Sequence, residues 1–196
     1  MKKILLSLLV LLVTFNTKIV ADNLLPVERI VEGNKNAKVT IITFESLTCS
    51  HCADFHKNVY PQLKKEFIDT GLVKIEFRHF PLDLAALNAS KISQCTNNGK
   101  SEILHFLFLN QENWTKGQTI EEINKDLKKL LKEKYTSLDF KKCINNKNVE
   151  DFILNDRIEG VQKFKVNATP TIIINDKKFE KSLNYKNLKK SLEKLI

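Results

Sequence analysis

Residues 39–52 read VTIITFESLTCSHC, and this stretch decides the fold class. Its first part, 39–44, is rich in β-branched and apolar residues and predicts a buried strand. From Cys49 to Ile68 the period changes to that of an amphipathic helix. The apolar residues of this helix recur at every fourth position, namely Phe55, Val59, Leu63 and Phe67. A strand therefore leads into a helix, with two cysteines at the junction.

The rest of the chain adds strands at both ends of a long helical stretch. Segment 72–80 predicts a second strand, and 171–174 predicts a third. A turn at Asp176-Lys177 and a partner strand at 178–183 follow, and a terminal helix begins at Tyr185. The stretch between Pro81 and Thr171 predicts helices at 85–95, 103–109, 137–144 and 149–164, and another after the capping box of Thr119 and Glu122. The nearly uninterrupted apolar run at 103–109 predicts a buried helix.

A strand–helix–strand half and a strand–strand–helix half, separated by helices, is the layout of a thioredoxin fold with an inserted α-helical domain. We therefore predict an α/β protein. Segments 22–81 and 165–196 would form the thioredoxin-like domain, and 82–164 the inserted helical domain.

The N-terminus predicts a cleaved signal peptide over residues 1–21. Lys2 and Lys3 precede an apolar run, and Val20-Ala21 suits cleavage before Asp22. An uncleaved membrane anchor is the alternative, but a spanning helix needs roughly 20 apolar residues, and this run is shorter. We therefore expect an exported protein, periplasmic in a bacterium.

The formal net charge of +9 comes almost entirely from lysine. The chain has three arginines, and they are not interleaved with glycine and aromatic residues. This pattern favours a solvated lysine-rich surface over nucleic-acid binding.

The sequence Cys49-Ser50-His51-Cys52 predicts a redox centre. At a helix N-terminus, free backbone N–H groups and the helix dipole stabilise the thiolate of Cys49, which is the nucleophilic form of the sulfur. Cys52 lies within reach to close a disulfide, and His51 can add positive charge or a hydrogen bond. Stabilising the thiolate favours the reduced state, so the disulfide becomes an oxidant.

A zinc site is the alternative for a C-x-x-C motif. It would need a second close pair of ligands, whereas Cys95 and Cys143 are isolated in the sequence, and so are His56, His79 and His105. We therefore predict no metal and no cofactor.

Two further features concern Pro170 and the remaining cysteines. Thr169-Pro170 begins a strand, a position that proline tolerates. In thioredoxin folds a cis-proline here faces the C-x-x-C motif, whereas an ordinary trans-proline at a strand edge is the alternative. In an exported protein Cys95 and Cys143 favour a structural disulfide, with two buried free thiols as the alternative.

The chain resembles the DsbA family of bacterial exported dithiol oxidases over nearly all of its length after residue 21. The matching residues are Phe44, Ser46, the segment 49–52, and the segments 77–82, 111–114 and 166–171. The resemblance implies a monomer that oxidises cysteines of newly exported polypeptides and is reoxidised by a quinone-linked membrane partner. It assigns attack to Cys49, the buried partner to Cys52, electrostatic tuning to His51 and substrate contact to Thr169-Pro170.

Two positions depart from the family pattern. Ser50 stands where the family's best-known dipeptide has proline, and it lacks the stiffness of proline. Thr43 stands where family members often carry a buried acid. Glu45, two residues on, lies on the same face of the strand. It is either a proton acceptor for Cys52 or exposed, and the sequence leaves this open.

Three functions compete. A dithiol oxidase is the first, and a disulfide isomerase or reductase, which Thr169 before the proline permits, is the second. Dedicated isomerases of this fold usually add an N-terminal dimerisation module, and about 27 residues between Asp22 and Cys49 would not hold one. A non-enzymatic metal-binding or other binding module is the third, and the scarcity of ligands disfavours it.

Overall fold

A five-stranded mixed sheet forms the centre of the computed structural model, which describes residues 26–196. Across the sheet the strands are ordered β1 (Ile30–Gly33), β3 (Val73–His79), β2 (Val39–Glu45), β4 (Thr171–Ile174) and β5 (Lys177–Lys178). β2 and β3 run parallel, and the other neighbouring strands run antiparallel. The predicted α/β class is confirmed. The predicted signal peptide, 1–21, lies outside the described residues.

The helical run at 50–68 follows β2 and alternates between two geometries. It consists of α1 (Ser50–Asp54), a π-type turn (Phe55–Val59), α2 (Tyr60–Leu63) and a second π-type turn (Lys64–Ile68). Pro61 has no N–H to donate back along the helix, and the first π-type turn lies directly before α2.

Six helices connect β3 to β4, and one more follows β5. They are α3 (Leu84–Gln94), α4 (Glu102–Leu109), α5 (Gln111–Trp114), α6 (Ile120–Lys134), α7 (Phe140–Ile144), α8 (Lys147–Phe164) and α9 (Tyr185–Leu192). The capping box at the start of α6 is present, because Thr119 and Glu122 accept each other's backbone N–H. Within residues 26–196, no helix combines the length and the apolar character needed to cross a membrane.

Five details differ from the sequence prediction. The edge strand β1 and the short helix α5 were not predicted. The turn between β4 and β5 lies at Asn175 and Asp176, which both have positive φ, and β5 ends at Lys178 instead of continuing to 183. α4 is buried on one face only, since Leu109 at its end is 52 % exposed.

The alternation of β2 sends its side chains into two different apolar clusters. Val39 and Ile41 pack with the helical run 50–68, whereas Ile42 and Phe44 pack on the opposite face of the sheet beneath α8. Gly160 lets α8 approach, because a Cβ there would lie 2.8 Å from the ring of Phe44. The same alternation directs Glu45 towards the helical run.

The register of the sheet decides which strand ends lie next to Cys49. Phe44 is paired with Thr171, so the end of β2 lies beside the beginning of β4. The loop that leads from β2 to Cys49 therefore lies next to Pro170.

Candidate active site

Cys49 and Cys52 occupy opposite ends of the first helical turn. Cys49 is the N-cap of α1, and its carbonyl accepts from the N–H groups of Cys52 and Ala53 at 3.1 and 3.2 Å. Cys49 is partly exposed, whereas Cys52 is fully buried. One sulfur is thus open to a reaction partner and the other is enclosed by the fold.

The loop before β4 lies against the exposed sulfur. Cys49 Sγ is 3.3 Å from the carbonyl oxygen of Thr169, and the Thr169–Pro170 peptide bond is cis in the structure. Residues 120 positions apart therefore meet at one point.

Hydrogen bonds to the Cys49 sulfur make it an unusually strong acid. The thiol of Cys52 donates to it, and this bond is the largest influence on its pKa. Burial opposes ionisation, but the side chain of Thr169 and the backbone N–H groups of Cys52 and His51, together with the Cys52 thiol, outweigh it. Together they lower the pKa of Cys49 from 9.0 to about 5. Cys49 is therefore a thiolate at neutral pH.

Cys52 behaves in the opposite way. Burial raises the pKa of its thiol, and its hydrogen bond to Cys49 and the nearby charge of Glu45 raise it further. When both sulfurs are reduced, the one proton that remains at neutral pH therefore belongs to Cys52.

Ser50 and His51 between the cysteines are both exposed. His51 lowers the pKa of Cys49 through its backbone N–H. Its imidazole lines a surface cleft of about 580 Å³ together with Asp54, Asn58 and Pro170. The electrostatic role of the His51 side chain stays a prediction.

Glu45 is buried, which excludes the exposed alternative, while its role as proton acceptor for Cys52 stays a prediction. Its Oε2 lies 2.9 Å from His56 Nε2, and His56 Nδ1 lies 2.8 Å from His105 Nδ1. His56 and His105 are isolated in the sequence but meet in the fold. Helix packing brings together residues 49 positions apart, which the sequence spacing could not reveal. One signal was present, because His105 is a polar residue inside an otherwise apolar run.

His79 belongs to a different environment. Its Nε2 lies 3.2 Å from the hydroxyl of Ser93, and burial lowers its pKa to about 4. Across the part of the chain that the structure describes, no group of three or more His, Cys, Asp or Glu side chains is arranged to hold a metal ion.

Gln111 was not recognised as a site residue from the sequence. From the beginning of α5, its Nε2 donates to the carbonyl oxygens of Leu47 at 2.8 Å and of Cys49 at 3.0 Å. One buried amide thus holds the loop that carries the exposed cysteine. No spacing pattern predicts such a contact between residues 62 positions apart.

Cys95 and Cys143 lie away from this centre and are joined in the structure. Cys95 ends α3, Cys143 lies in α7, and their sulfurs are bonded at 2.02 Å. The bond connects two of the helices between β3 and β4.

Comparisons with known proteins agree with this geometry. A family model described as thioredoxin matches residues 26–194. The crystal structure of Wolbachia pipientis alpha-DsbA1 superposes with a TM-score of 0.75 at 30 % identity, covering 85 % of this chain and 90 % of that one. Disulfide bond formation protein D of Bacillus subtilis is 27 % identical over 173 residues, which cover 84 % of this chain and 75 % of the relative.

A Rickettsia bellii protein, provisionally named a protein-disulfide oxidoreductase, is 28 % identical over 147 residues, or 74 % of this chain. The matched region is 56 % of that relative, and 52 % and 61 % of two further Rickettsia proteins. The chain thus spans little more than half the length of these curated relatives. The match to the family model and the likeness to alpha-DsbA1 together show that the chain belongs to the thioredoxin family and, within it, to the DsbA family.

Proposed function

We propose that this chain is a protein thiol–disulfide oxidoreductase and that it works as a dithiol oxidase on reduced, exported polypeptides. One observation carries the proposal. Cys49 is accessible, its pKa is lowered to about 5, and its Sγ lies 3.3 Å from the Thr169 carbonyl oxygen, while its partner Cys52 is buried. A leaving group of low pKa departs readily from a mixed disulfide, and a stabilised thiolate favours the reduced enzyme.

The oxidation proceeds through two exchanges. A substrate thiolate attacks Cys49 Sγ, the Cys49–Cys52 bond breaks, and its electron pair stays on Cys52, which then takes up a proton. The second substrate thiol, once deprotonated, attacks the substrate sulfur of the mixed disulfide. Cys49 leaves as a thiolate, so the substrate loses two electrons and the enzyme gains them.

Substrate contact is assigned to the cleft beside Cys49. The cleft is lined by His51, Asp54, Thr169, Pro170 and Leu183, among others. An extended polypeptide lying along Thr169 could pair with its backbone and present a cysteine to Cys49.

A disulfide isomerase or reductase of the same compartment is the second candidate. It would use the same two cysteines, and Thr169 before Pro170 is compatible with it. The low pKa of Cys49 favours the oxidase, because a reductase needs a disulfide that is difficult to reduce.

The proposal also includes the compartment in which the protein works and the partner that reoxidises it. An export signal at 1–21 would deliver the chain to an oxidising compartment such as the periplasm, where a quinone-linked membrane partner would reoxidise it as a monomer.

The bond between Cys95 and Cys143 is proposed as a structural disulfide of the inserted helical domain, 82–164. We expect it to persist when mild dithiothreitol has reduced Cys49 and Cys52, and two free thiols in exported protein would contradict this.

The test uses three measurements on purified protein lacking residues 1–21. We expect rapid oxidation of a reduced cysteine-containing protein, little recovery of a substrate with scrambled disulfides, and a potential between about −120 and −270 mV, because Ser50 lacks the stiffness of proline. The redox-inactive variant Cys49→Ser is the matched control. Efficient unscrambling with a potential near −270 mV would favour the isomerase or reductase.

A further inference from the structure

Cys52 must gain and lose a proton in every catalytic cycle, although it is sealed from solvent. Its thiol is fully buried, and its raised pKa requires that it be protonated whenever the disulfide is open. Glu45 is near enough for its charge to raise that pKa, but the Glu45 side chain is itself only 2 % exposed. A proton that moves between Cys52 and solvent by way of Glu45 therefore needs a connection from Glu45 to the surface.

A continuous row of hydrogen bonds leads away from Glu45. Glu45 Oε2 is 2.9 Å from His56 Nε2, His56 Nδ1 is 2.8 Å from His105 Nδ1, and His105 Nε2 is 2.7 Å from Glu32 Oε1. The side chains become more exposed along the row, from 1 % at His56 to 17 % at His105 and 14 % at Glu32. Glu32 and His105 line a surface cleft with Tyr60 and Lys64.

Stacking holds the two imidazoles in line. The His56 ring lies on Phe108 at 4.1 Å between centroids and 14° between planes, and the His105 ring lies on Tyr60 at 4.3 Å and 27°. These contacts fix the ring planes, so each nitrogen faces its partner along the row.

The distances determine how many protons the row holds. Each of the three hydrogen bonds needs one proton, because two lone pairs would repel at 2.8 Å. Burial opposes ionisation of Glu32, but hydrogen bonds from His105, Ser101 and Tyr60 lower its pKa to about 2, so Glu32 is a carboxylate. The three bonds therefore hold three protons in the reduced protein, in which Cys49 and Cys52 are not bonded to each other.

Each bonded proton can shift to its other partner without any side chain changing place. Successive shifts from Glu32 to His105, from His105 to His56 and from His56 to Glu45 bring a proton to the carboxyl group whose charge acts on Cys52. The other oxygen of Glu45, Oε1, is buried and has no hydrogen-bond partner among residues 26–196.

We propose that the relay Glu45–His56–His105–Glu32 carries a proton from the surface cleft at Glu32 to Cys52 when the disulfide opens, and carries it back to the surface when the disulfide closes. The proposal rests on the proposed function, because it assigns a source to the proton in that reaction. When the Cys49–Cys52 bond breaks, Cys52 keeps the electron pair and takes a proton from Glu45, and the row takes up one proton at the surface cleft. When Cys52 attacks a mixed disulfide on Cys49, its proton passes to Glu45, and one proton leaves the row at the cleft.

Other groups around the relay do not interrupt it. His56 meets aromatic rings on its remaining sides. The charged and titratable groups facing Glu32 and His105 come from the helical run 50–68 and from the loop before α4. They are Tyr60, whose hydroxyl donates to Glu32 Oε2 at 2.6 Å, Lys64, whose Nζ is 3.5 Å from the same atom, and Ser101, which donates to Glu32 Oε1.

The experiment separates the two steps of reoxidation by acid quench and mass spectrometry. Reduced protein is mixed with oxidised glutathione. Attack by Cys49 gives a mixed disulfide, and attack by Cys52 then gives the internal disulfide. In His105→Gln and in Glu32→Gln we expect the Cys52 step to slow by roughly tenfold or more, approaching the range of general acid–base catalysis, and to accelerate as the pH rises. The Cys49 step should be unchanged.

His79→Gln is the control, since it removes a more deeply buried histidine outside the relay. Imidazole added to His105→Gly should restore the Cys52 step, which a purely structural role would not allow. In the wild type, the Cys52 step should be independent of buffer concentration because its base is internal, a measurement that needs no variant to fold.

The outcomes separate the relay from the proposed function. If wild-type Cys49 fails to form the mixed disulfide, the proposed function fails. If both wild-type steps occur, a Cys52 step that is equally fast in folded His105→Gln and Glu32→Gln, or that rises with buffer concentration in the wild type, overturns the relay alone.

Discussion

The exposed and buried ends of the Cys49–Cys52 turn give the same functional group opposite properties. At the exposed end, the Cys52 thiol, the side chain of Thr169 and two backbone N–H groups lower the pKa of Cys49 to about 5. At the buried end, burial and the charge of Glu45 raise the pKa of Cys52. Three positions along one helix therefore separate a thiolate from a thiol.

The position of each cysteine in the fold, and not its residue type, therefore decides which sulfur keeps the proton. The hydrogen bond from Cys52 to Cys49 contributes to both shifts, because it stabilises one charge and ties up one proton. Each cysteine is thus part of the environment of the other.

The largest expected difference is in reactivity. At pH 7, Cys49 should be at least roughly 100-fold more reactive than Cys52 towards iodoacetamide, since the thiolate is the nucleophile and Cys52 is a buried thiol. Brief labelling of the reduced protein followed by peptide mapping measures this ratio. Labelling of Cys52 first would reverse the assigned roles.

Removing the donor should restore a more ordinary Cys49. Cys52→Ala deletes the largest influence on the pKa of Cys49, so that pKa should rise towards 9.0. Cys52→Ser is the matched control, because its hydroxyl can still donate and should keep the pKa lower than in the alanine variant. Ultraviolet absorbance of the thiolate against pH measures both, and equal pKa values in the two variants would exclude the hydrogen bond as the cause.

Releasing the loop that carries Cys49 should weaken the fold. Gln111→Ala leaves the carbonyl of Leu47 without its buried donor, which costs about 1–3 kcal/mol of unfolding free energy. Asn113→Ala is the control on the same helix, because Asn113 is exposed and makes one long hydrogen bond of 3.4 Å. Urea unfolding compares the two variants, and equal losses of unfolding free energy would show that the contact of Gln111 with the loop does not stabilise the fold.

The His51 side chain should have the smallest effect, because it is exposed. If its imidazole stabilises the thiolate, His51→Ala raises the pKa of Cys49 and lowers the redox potential by about 30 mV for each pKa unit. A glutathione-coupled titration with a parallel pKa measurement tests whether the two quantities move together. Unchanged values would leave the backbone N–H as the whole contribution of His51.

Features that depend on residues close together in the chain could be predicted from the sequence. The change from strand to helix at 39–68 gave the element order around Cys49 and Cys52. The alternation along β2 placed Glu45 and Thr43 on one face, and the box formed by Thr119 and Glu122 gave the start of α6. In each case the signal lies within a few residues.

Contacts that depend on packing could not be predicted. β1 is four residues long and is a strand because β3 offers it an edge. The predicted extension of β5 to 183 fails because β5 pairs with β4 at two positions only. Similarly, the meeting of His56 with His105, and of Gln111 with the active-site loop, requires the helices between β3 and β4 to fold back onto the run 50–68.

Ionisation of Cys49 also links the reduced fold to pH. Its pKa in the fold is lower than its ordinary value of 9.0, so ionised Cys49 stabilises the reduced protein. This contribution is complete above pH 9 and is lost as the pH falls through about 5. Cys52, with a raised pKa, should keep its proton over the same range.

The redox potential as a function of pH tests this division of one proton most directly. Each proton taken up on reduction contributes about 30 mV per pH unit to the slope of a two-electron couple. Below pH 5, reduction takes up two protons, and the potential should fall by about 59 mV per unit; above it, Cys52 alone is protonated, and the slope should be about 30 mV per unit. We therefore predict one break near pH 5 in the wild type. A slope of about 59 mV per unit that continues through neutral pH would show that both sulfurs keep their protons, and it would contradict the account.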